Sequence, residues 1–416
     1  MFIDISFKED MSPALVTEFE KKIYYISEDI VSFTRVGENG KYSGMKIEVL
    51  DSNKQQKEIE EKAYQVLESE VYGLKDVKPI RIWDNDDVNS ADSVAVLKDL
   101  LDKEIVHVPG SGQVAYREPL VSLFYLFDSI LKGFSIKVFG GIEYIYPTLL
   151  SNGVLKKVGY FDSFPNLLMF SVRLKNEISN YTDFKEQFKD LTETDEITDH
   201  LMPYCTGTKY GLPPTMCYYV YDMLSGKEVK NRCVTARGKS FRFENKYCKP
   251  FERLWDFTIR ETVFLGDSTF VRNHVNAYKS AAIKLMEKIG MHGFCESAND
   301  PFFLVEDTTN RINVQKMFGS KYELRMRINK EDTIAIGSFN IHGQFLSKRF
   351  KLYSTEPDQE FIYTGCIGIG LERFIFSFLS QFGTDMDKWP EFVKNALKDK
   401  SVIDEFLKEV SEEIDV

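Results

Sequence analysis

The sequence predicts an α+β fold: an antiparallel sheet flanked by helices, preceded by a small N-terminal α/β domain. Three observations point there. Residues 1 to about 95 run in the order β-α-β-β-α, which suits an antiparallel sheet covered on one face by helices. The block SFRFENKYCKPFERLWDFTIRETVFLG, from Ser240 to Gly266, reads as two antiparallel strands joined by a charged loop. YTGCIGIGLERFIFSFL, from Tyr363 to Leu379, alternates like a strand and then becomes an apolar helix near Leu371.

Each element has a local cause. FIDISF is a strand, and Ser12 caps a helix reaching Tyr25, with Pro13 at its first position. IVSFTRVG and GMKIEVL pair across the turn Glu38–Tyr42, with Gly37 and Gly40 as breakers. A second helix, KQQKEIEEKAYQVLESEVYGL, carries Ile59, Ala63, Val66 and Leu67 on one stripe. Nothing in residues 1–95 carries recognisable chemistry, so this unit reads as a docking or substrate-presenting module. The polar, acidic stretch WDNDDVNSADS reads as a linker to a second domain, residues 105–416. There VSLFYLFDSILKGF is a helix and EYIYPTLL a strand. Residues 176–200 are helical, with a solvated acidic end. In LPPTMCYYVYDML, Cys217 follows a Pro-Pro turn and enters a strand-like aromatic run; on its own it reads as a buried small hydrophobe.

Bulk properties narrow the function. A chain of 416 residues is long enough for two domains with real cores. Its formal charge of −11 argues against non-specific nucleic-acid binding. No apolar run is long and uncharged enough to span a bilayer, and no secretory signal is evident, so a cytoplasmic location is expected. Six cysteines are too sparse for a disulfide scaffold and fit a reducing compartment.

The chemistry concentrates on strand faces. Cys366, Gly368 and Gly370 share one face of their strand, and the two glycines let a flat ligand lie against it. Glu372 and Arg373 fall in the first turn of the following helix, where N–H groups and a guanidinium can meet phosphate oxygens. Glycine-rich strand–helix turns also serve as plain packing devices, so this stretch alone leaves both readings open. Arg242 and Glu244 share a face by alternation. Phe257 and Glu261 lie about 13 Å apart on the returning strand, suiting a ring on adenine at one end and a carboxylate beyond the phosphates at the other. Two rival nucleotide motifs fail: Gly238–Ser240 lacks the upstream glycine of a phosphate loop, having Cys233 there, and Gly368–Arg373 lacks the third glycine of a dinucleotide fingerprint.

These blocks, taken in order, resemble the signatures of class II aminoacyl-tRNA synthetases. Gly133-Phe134 and Pro147 match the first, Arg242–Phe257 the second, and the Tyr363–Leu379 stretch the third. The extended pattern, with QFGTDMDKWP after it, looks closest to the amino acid:[carrier protein] ligases, relatives of the atypical zinc-dependent seryl-tRNA synthetases. GYFDSFPNLLMFSV, SANDPFFLVED, SKYELRM and GSFNIHG resemble segments of the same ligases. The resemblance implies a class II synthetase-like sheet and a homodimer formed through the first signature. It implies ATP held by Arg242, Glu244, Arg253, Phe257, Lys321, Glu323 and Arg373, with Arg242 and Arg373 catalytic. Ser338 and Asn340 would meet the amino acid, while His342 stays outside the mechanism. Cys217, Glu261 and Cys366 match the zinc ligands of this branch, and Mg²⁺ would accompany ATP.

The implied reaction forms an aminoacyl-adenylate from a small amino acid and ATP, then passes the acyl group to the phosphopantetheine thiol of a carrier protein. Two alternatives stand beside it. One is an atypical seryl-tRNA synthetase that charges tRNA; against it stand the short N-terminal unit and no obvious room for that branch's catalytic insertion. TIAIGSFN also lacks the acidic residue that ordinary seryl-tRNA synthetases use for magnesium. The other is an idle regulator, which intact Arg242, Glu244, Phe257, Arg373 and the three ligands speak against. The chain departs from the carrier-protein ligases in its extra N-terminal unit and in Tyr363, where histidine is expected.

Overall fold

The computed structural model describes residues 1–38, 40–50, 56–74, 79–245, 248–299 and 320–414. The first unit is an antiparallel sheet ordered β1-β3-β2, from β1 (Phe2–Met11), β2 (Ile30–Glu38) and β3 (Lys41–Val49). Helix α1 (Pro13–Ile23) starts as expected, the Ser12 hydroxyl accepting from Leu15 N–H at 3.5 Å. Helix α2 (Gln56–Val66) buries Ile59, Ala63 and Val66, the stripe its spacing predicts. It continues into a wider turn, Leu67–Val71, whose Glu70 forms a buried ion pair with Lys22 of α1.

The second unit is an eight-stranded sheet. Its strands are β4 (Arg81–Asp84), β5 (Ile142–Tyr144), β6 (Arg232–Phe241), β7 (Asp256–Gly266), β8 (Gly293–Ser297), β9 (Lys321–Arg327), β10 (Thr333–Gly343) and β11 (Tyr363–Gly370). Their order is β4-β8-β9-β10-β11-β7-β6-β5. All pairs are antiparallel except the edge pair β5–β6. Helices α3 (Leu120–Gly133), α5 (Ser268–Ile289) and α6 (Leu371–Phe382) contribute to one large apolar core, while α4 (Cys217–Met223) belongs to a second. Arg260, Thr262 and Phe264 alternate on β7 with Phe257, Ile259, Glu261 and Val263, so the two sets point to opposite faces. A smaller sheet of Leu150–Ser151, Phe170–Leu174 and Cys205–Gly211 lies between α3 and α4 in the chain.

Three expectations change. The stretch Trp83–Ser93 begins as strand, because β4 pairs with β8 through Asp84–Phe294 and Trp83–Cys295; an open sheet edge offers partners to any extended segment that passes it. Cys217 opens a helix, since Cys217, Val220, Tyr221 and Leu224 are buried at helical spacing and this burial outweighs the β-preference of the aromatic run. EYIYPTLL is not one strand: β5 ends at Tyr144 and strand resumes only at Leu150–Ser151, with Pro147 between them. Residues 300–307 of SANDPFFLVED lie outside the described residues. Among the described residues no helix is long and apolar enough to cross a membrane.

Candidate functional site

Strand register assembles the site. Across β7 and β11, Glu261 stands opposite Gly368 and Val263 opposite Cys366. Across β11 and β10, Cys366 faces Asn340 and Gly368 faces Ser338. One strand further, Asn340 faces Lys321 and Ser338 faces Glu323. Paired residues share a face, so Phe257, Glu261, Cys366, Ser338, Asn340, Lys321 and Glu323 all come to one side of the sheet. Gly368 and Gly370 keep that side low. A Cβ at Gly370 would find nothing nearer than Ile336 O at 3.9 Å, whereas one at Gly368 would press on Ile259 Cδ1 at 2.9 Å.

Helix α4 sets Cys217 above this face. Cys217 Sγ, Cys366 Sγ and a Glu261 carboxylate oxygen lie within 4.8 Å of one another, all buried. The Thr215 hydroxyl donates to both Glu261 oxygens at 2.8 Å, and Cys217 N–H donates to Oε2 at 2.7 Å. Asn340 Nδ2, 3.1 Å from Ser338 Oγ, lies 3.7 Å from Cys366 Sγ. His342 Nε2 lies 3.6 Å from the same sulfur, and its Nδ1 3.5 Å from the Tyr221 hydroxyl.

Burial, then the neighbouring Cys366, lifts the Glu261 carboxyl to about 7. Burial likewise pushes the Cys217 thiol up, while hydrogen bonding from Cys217 and the nearby His342 hold Cys366 well below the thiol range. Three groups that are anionic as ligands, crowded in a dry place, fit a single cation with two sulfur donors and one oxygen donor.

The nucleotide side differs in detail from expectation. Strand β6 ends at Phe241, so Arg242 and Glu244 sit on the connecting loop rather than on a strand. The cause is local: Phe243 N–H turns away to Leu167 O, and Asn245 adopts a left-handed φ of 49°. Arg242 Nε donates to Pro214 O at 3.2 Å, and its guanidinium stands 5.3 Å from the Phe257 ring centre. Glu244 bonds the loop arginine Arg253 at 3.1 Å.

Arg373 is held by Glu252 O at 2.7 Å and Ala335 O at 3.2 Å, with no carboxylate ion pair among the described residues. Burial, then the Arg253 charge, lowers it to about 10, and Arg242, Glu244 and Glu323 also act on it. Its neighbour Glu372 turns inward and accepts from Thr258 N–H at 2.8 Å, fixing the start of α6 on β7. Against burial, Lys321 and Arg325 hold the Glu323 carboxyl below its ordinary range.

Thr215 and His342 are what sequence reasoning missed or set aside. Thr215 lies two residues before Cys217, and a threonine in a Pro-Pro turn reads as turn chemistry. His342 continues the Ser338–Asn340 face, which is a signal, though one histidine on a strand carries no chemistry by itself.

This sheet, with its crossing register and the helix α6 that closes it, is the class II aminoacyl-tRNA synthetase fold. The M. kandleri SerRS structure, solved in complex with A. aeolicus tRNASec, is similar over 100% of this chain and 78% of that one, with a TM-score of 0.66 and 18% identity. The cytoplasmic serine-tRNA ligase of Naegleria fowleri in complex with AMP matches 83% of this chain and 70% of its own, at TM-score 0.52 and 12% identity.

No family model matches the sequence. Among curated proteins it is similar to the Type-2 serine–tRNA ligase of Methanococcus maripaludis strain C5, 27% identical over 294 residues, covering 69% of this chain and 56% of that protein. The Methanocaldococcus jannaschii Type-2 serine–tRNA ligase is 23% identical over 298 residues, again 56% of its length. The chain thus spans little more than half the length of these relatives. These findings overturn the expected transfer to a carrier-protein thiol: the relatives are tRNA ligases, and one of the similar solved structures is a complex with tRNA.

Proposed function

We propose that the chain activates a small amino acid with ATP as an aminoacyl-adenylate and passes it to tRNA, with serine the first amino acid to test. The observation that carries this reading is the meeting of Cys217, Glu261 and Cys366 within 4.8 Å, on the sheet face that also presents Phe257, Ser338 and Asn340. In the proposed first step the substrate carboxylate, already ionised, attacks the α-phosphorus in line and pyrophosphate leaves. Arg242 and Arg373 neutralise the charge that builds there, and Arg373 comes preorganised by two backbone carbonyls. Phe257 stacks on adenine, and Arg253 reaches the γ-phosphate side with Glu244 steadying it. Lys321 and Glu323 flank the nucleotide, and Mg²⁺ travels with ATP.

Ser338 and Asn340 meet the amino acid. A zinc ion on Cys217, Glu261 and Cys366 would supply a Lewis-acidic anchor for its α-amino group. In the second step a ribose hydroxyl of tRNA attacks the acyl carbonyl and AMP departs. We assign residues 1–95 to an N-terminal unit, its last strand lent to the catalytic sheet, and 105–416 to the catalytic unit. A homodimer through the β5 edge accords with exposed Ile142 and Ile145 there.

Pyrophosphate exchange into ATP tests the first step, and charging of bulk tRNA the second. Exchange that depends on one amino acid, followed by acid-precipitable aminoacyl-tRNA, is the expected result. Exchange no greater than background for every amino acid would make the chain an idle relative.

A further inference from the structure

The N-terminal unit touches the catalytic unit at the loop that carries the phosphate-side residues. Asn245 Nδ2 donates to Tyr24 O at 2.7 Å, at the C-terminal end of α1. Beside it the Tyr25 hydroxyl donates to Phe243 O at 3.4 Å, and its ring packs against the core beneath the site face. Phe243 N–H is meanwhile held by Leu167 O at 3.1 Å. Residues on either side of Glu244 are therefore gripped from the N-terminal unit, and Arg242 immediately precedes them.

Asn245 holds a left-handed φ of 49°, a conformation that asparagine tolerates better than other non-glycine residues and that fixes the direction of its amide. The grip is itself braced. Lys22, one turn back on α1, forms the buried ion pair with Glu70 that ties the helix to its own unit. Burial, then the Glu244 charge, lifts the Tyr25 phenol to about 12, and Glu244 is the carboxylate that accepts from Arg253 at 3.1 Å.

We propose that the Tyr24–Tyr25 turn is a clamp on the Arg242–Asn245 stretch, with Tyr25 and Asn245 as positioning residues for the nucleotide's phosphates. The N-terminal unit would then set nucleotide affinity, beyond any part it takes in binding the acceptor. A loop fixed before ATP arrives spares the ordering entropy that binding would otherwise have to supply. The inference rests on the activation reading for its ligand, though not for the clamp itself.

Two variants separate these. Tyr25→Phe removes the phenol while keeping the ring, and Asn245→Gly removes the amide while keeping left-handed backbone without strain. Amide hydrogen exchange over Phe241–Asn245, with no ligand present, should quicken roughly tenfold in the double variant, the effect of one to two lost hydrogen bonds. Calorimetric Kd for Mg·ATP should weaken by a similar factor, while the Kd for the amino acid and the bound metal stay as in the unmodified chain. Unchanged loop exchange, or unchanged Mg·ATP affinity, would refute the clamp. So would a general loosening that also costs metal and amino-acid affinity. A wild-type chain without amino-acid-dependent exchange would sink the activation reading instead, and ligand-free hydrogen exchange would still decide the clamp.

Discussion

Arg260 and Glu261 are neighbours on β7 and almost equally buried, 2% and 3% exposed, yet their surroundings are opposites. On the α3 side the Arg260 guanidinium bonds Asp128 at 2.7 and 2.9 Å and Glu143 at 2.9 Å, and Arg237 shares Asp128 at 2.9 Å. Every charge there has an opposite within the chain. On the other side Glu261 meets two thiols and a hydroxyl, and makes no ion pair with lysine or arginine among the described residues. An unbalanced buried charge costs several kcal/mol. One face is electrostatically complete by itself, and the other gathers the three ligand candidates that the proposed cation would balance.

The largest expected effect breaks the open face. Cys366→Ala should take bound zinc from about one per chain to none and cut amino-acid-dependent exchange on the order of a thousandfold. Metal analysis of the purified protein and the exchange assay check both, and chelation of the unmodified chain should do the same. Full exchange by a zinc-free preparation would remove the metal from the scheme.

Next comes the closed face. Arg260→Met leaves buried Asp128 with Arg237 alone and half-buried Glu143 with Lys132 alone, and should cost about 3 kcal/mol of stability. Urea unfolding followed by circular dichroism measures this, and metal per folded chain should not change. A stability loss near zero would mean the two faces are less different than their contacts indicate. The smallest effect sharpens the contrast. Thr215→Val removes the hydroxyl that orients Glu261 and should weaken metal affinity about 10- to 100-fold while moving stability by about 1 kcal/mol. Competition with a chromophoric chelator reads the first quantity.

What could be read in the sequence was what repeats along a strand or helix. The glycine-alternating run before Leu371, the Phe257–Glu261 face and the α1 cap follow from periodicity and capping, and the structure reproduces them. The helix at Cys217 was written in the spacing of Val220, Tyr221 and Leu224, though Tyr218, Tyr219 and Tyr221 within four residues argued for strand. Strand β4 left no pattern, because Arg81–Asp84 borrows its partner from an edge two hundred residues away. The Asp128–Arg260–Glu143 network was equally hidden: its members come from α3, β7 and β5, and pairing among distant segments has no signature in one sequence. The meeting of the three metal-ligand candidates was reached through resemblance, since Cys217 and Cys366 show no local ligand spacing. The carrier-protein acceptor was likewise taken from resemblance, and similarity to tRNA ligases overturns it in favour of the alternative weighed beside it.

The back-to-back placement of Arg260 and Glu261 has a consequence for assembly. Were β7 to slide by one position, the guanidinium would turn toward the thiols and the carboxylate toward Asp128, so both faces would fail together. A chain zipped incorrectly cannot retain a functioning half. Uptake of the proposed metal during refolding would therefore act as a proofreading signal, registering only molecules whose β6–β7 hairpin has closed in its one tolerated alignment.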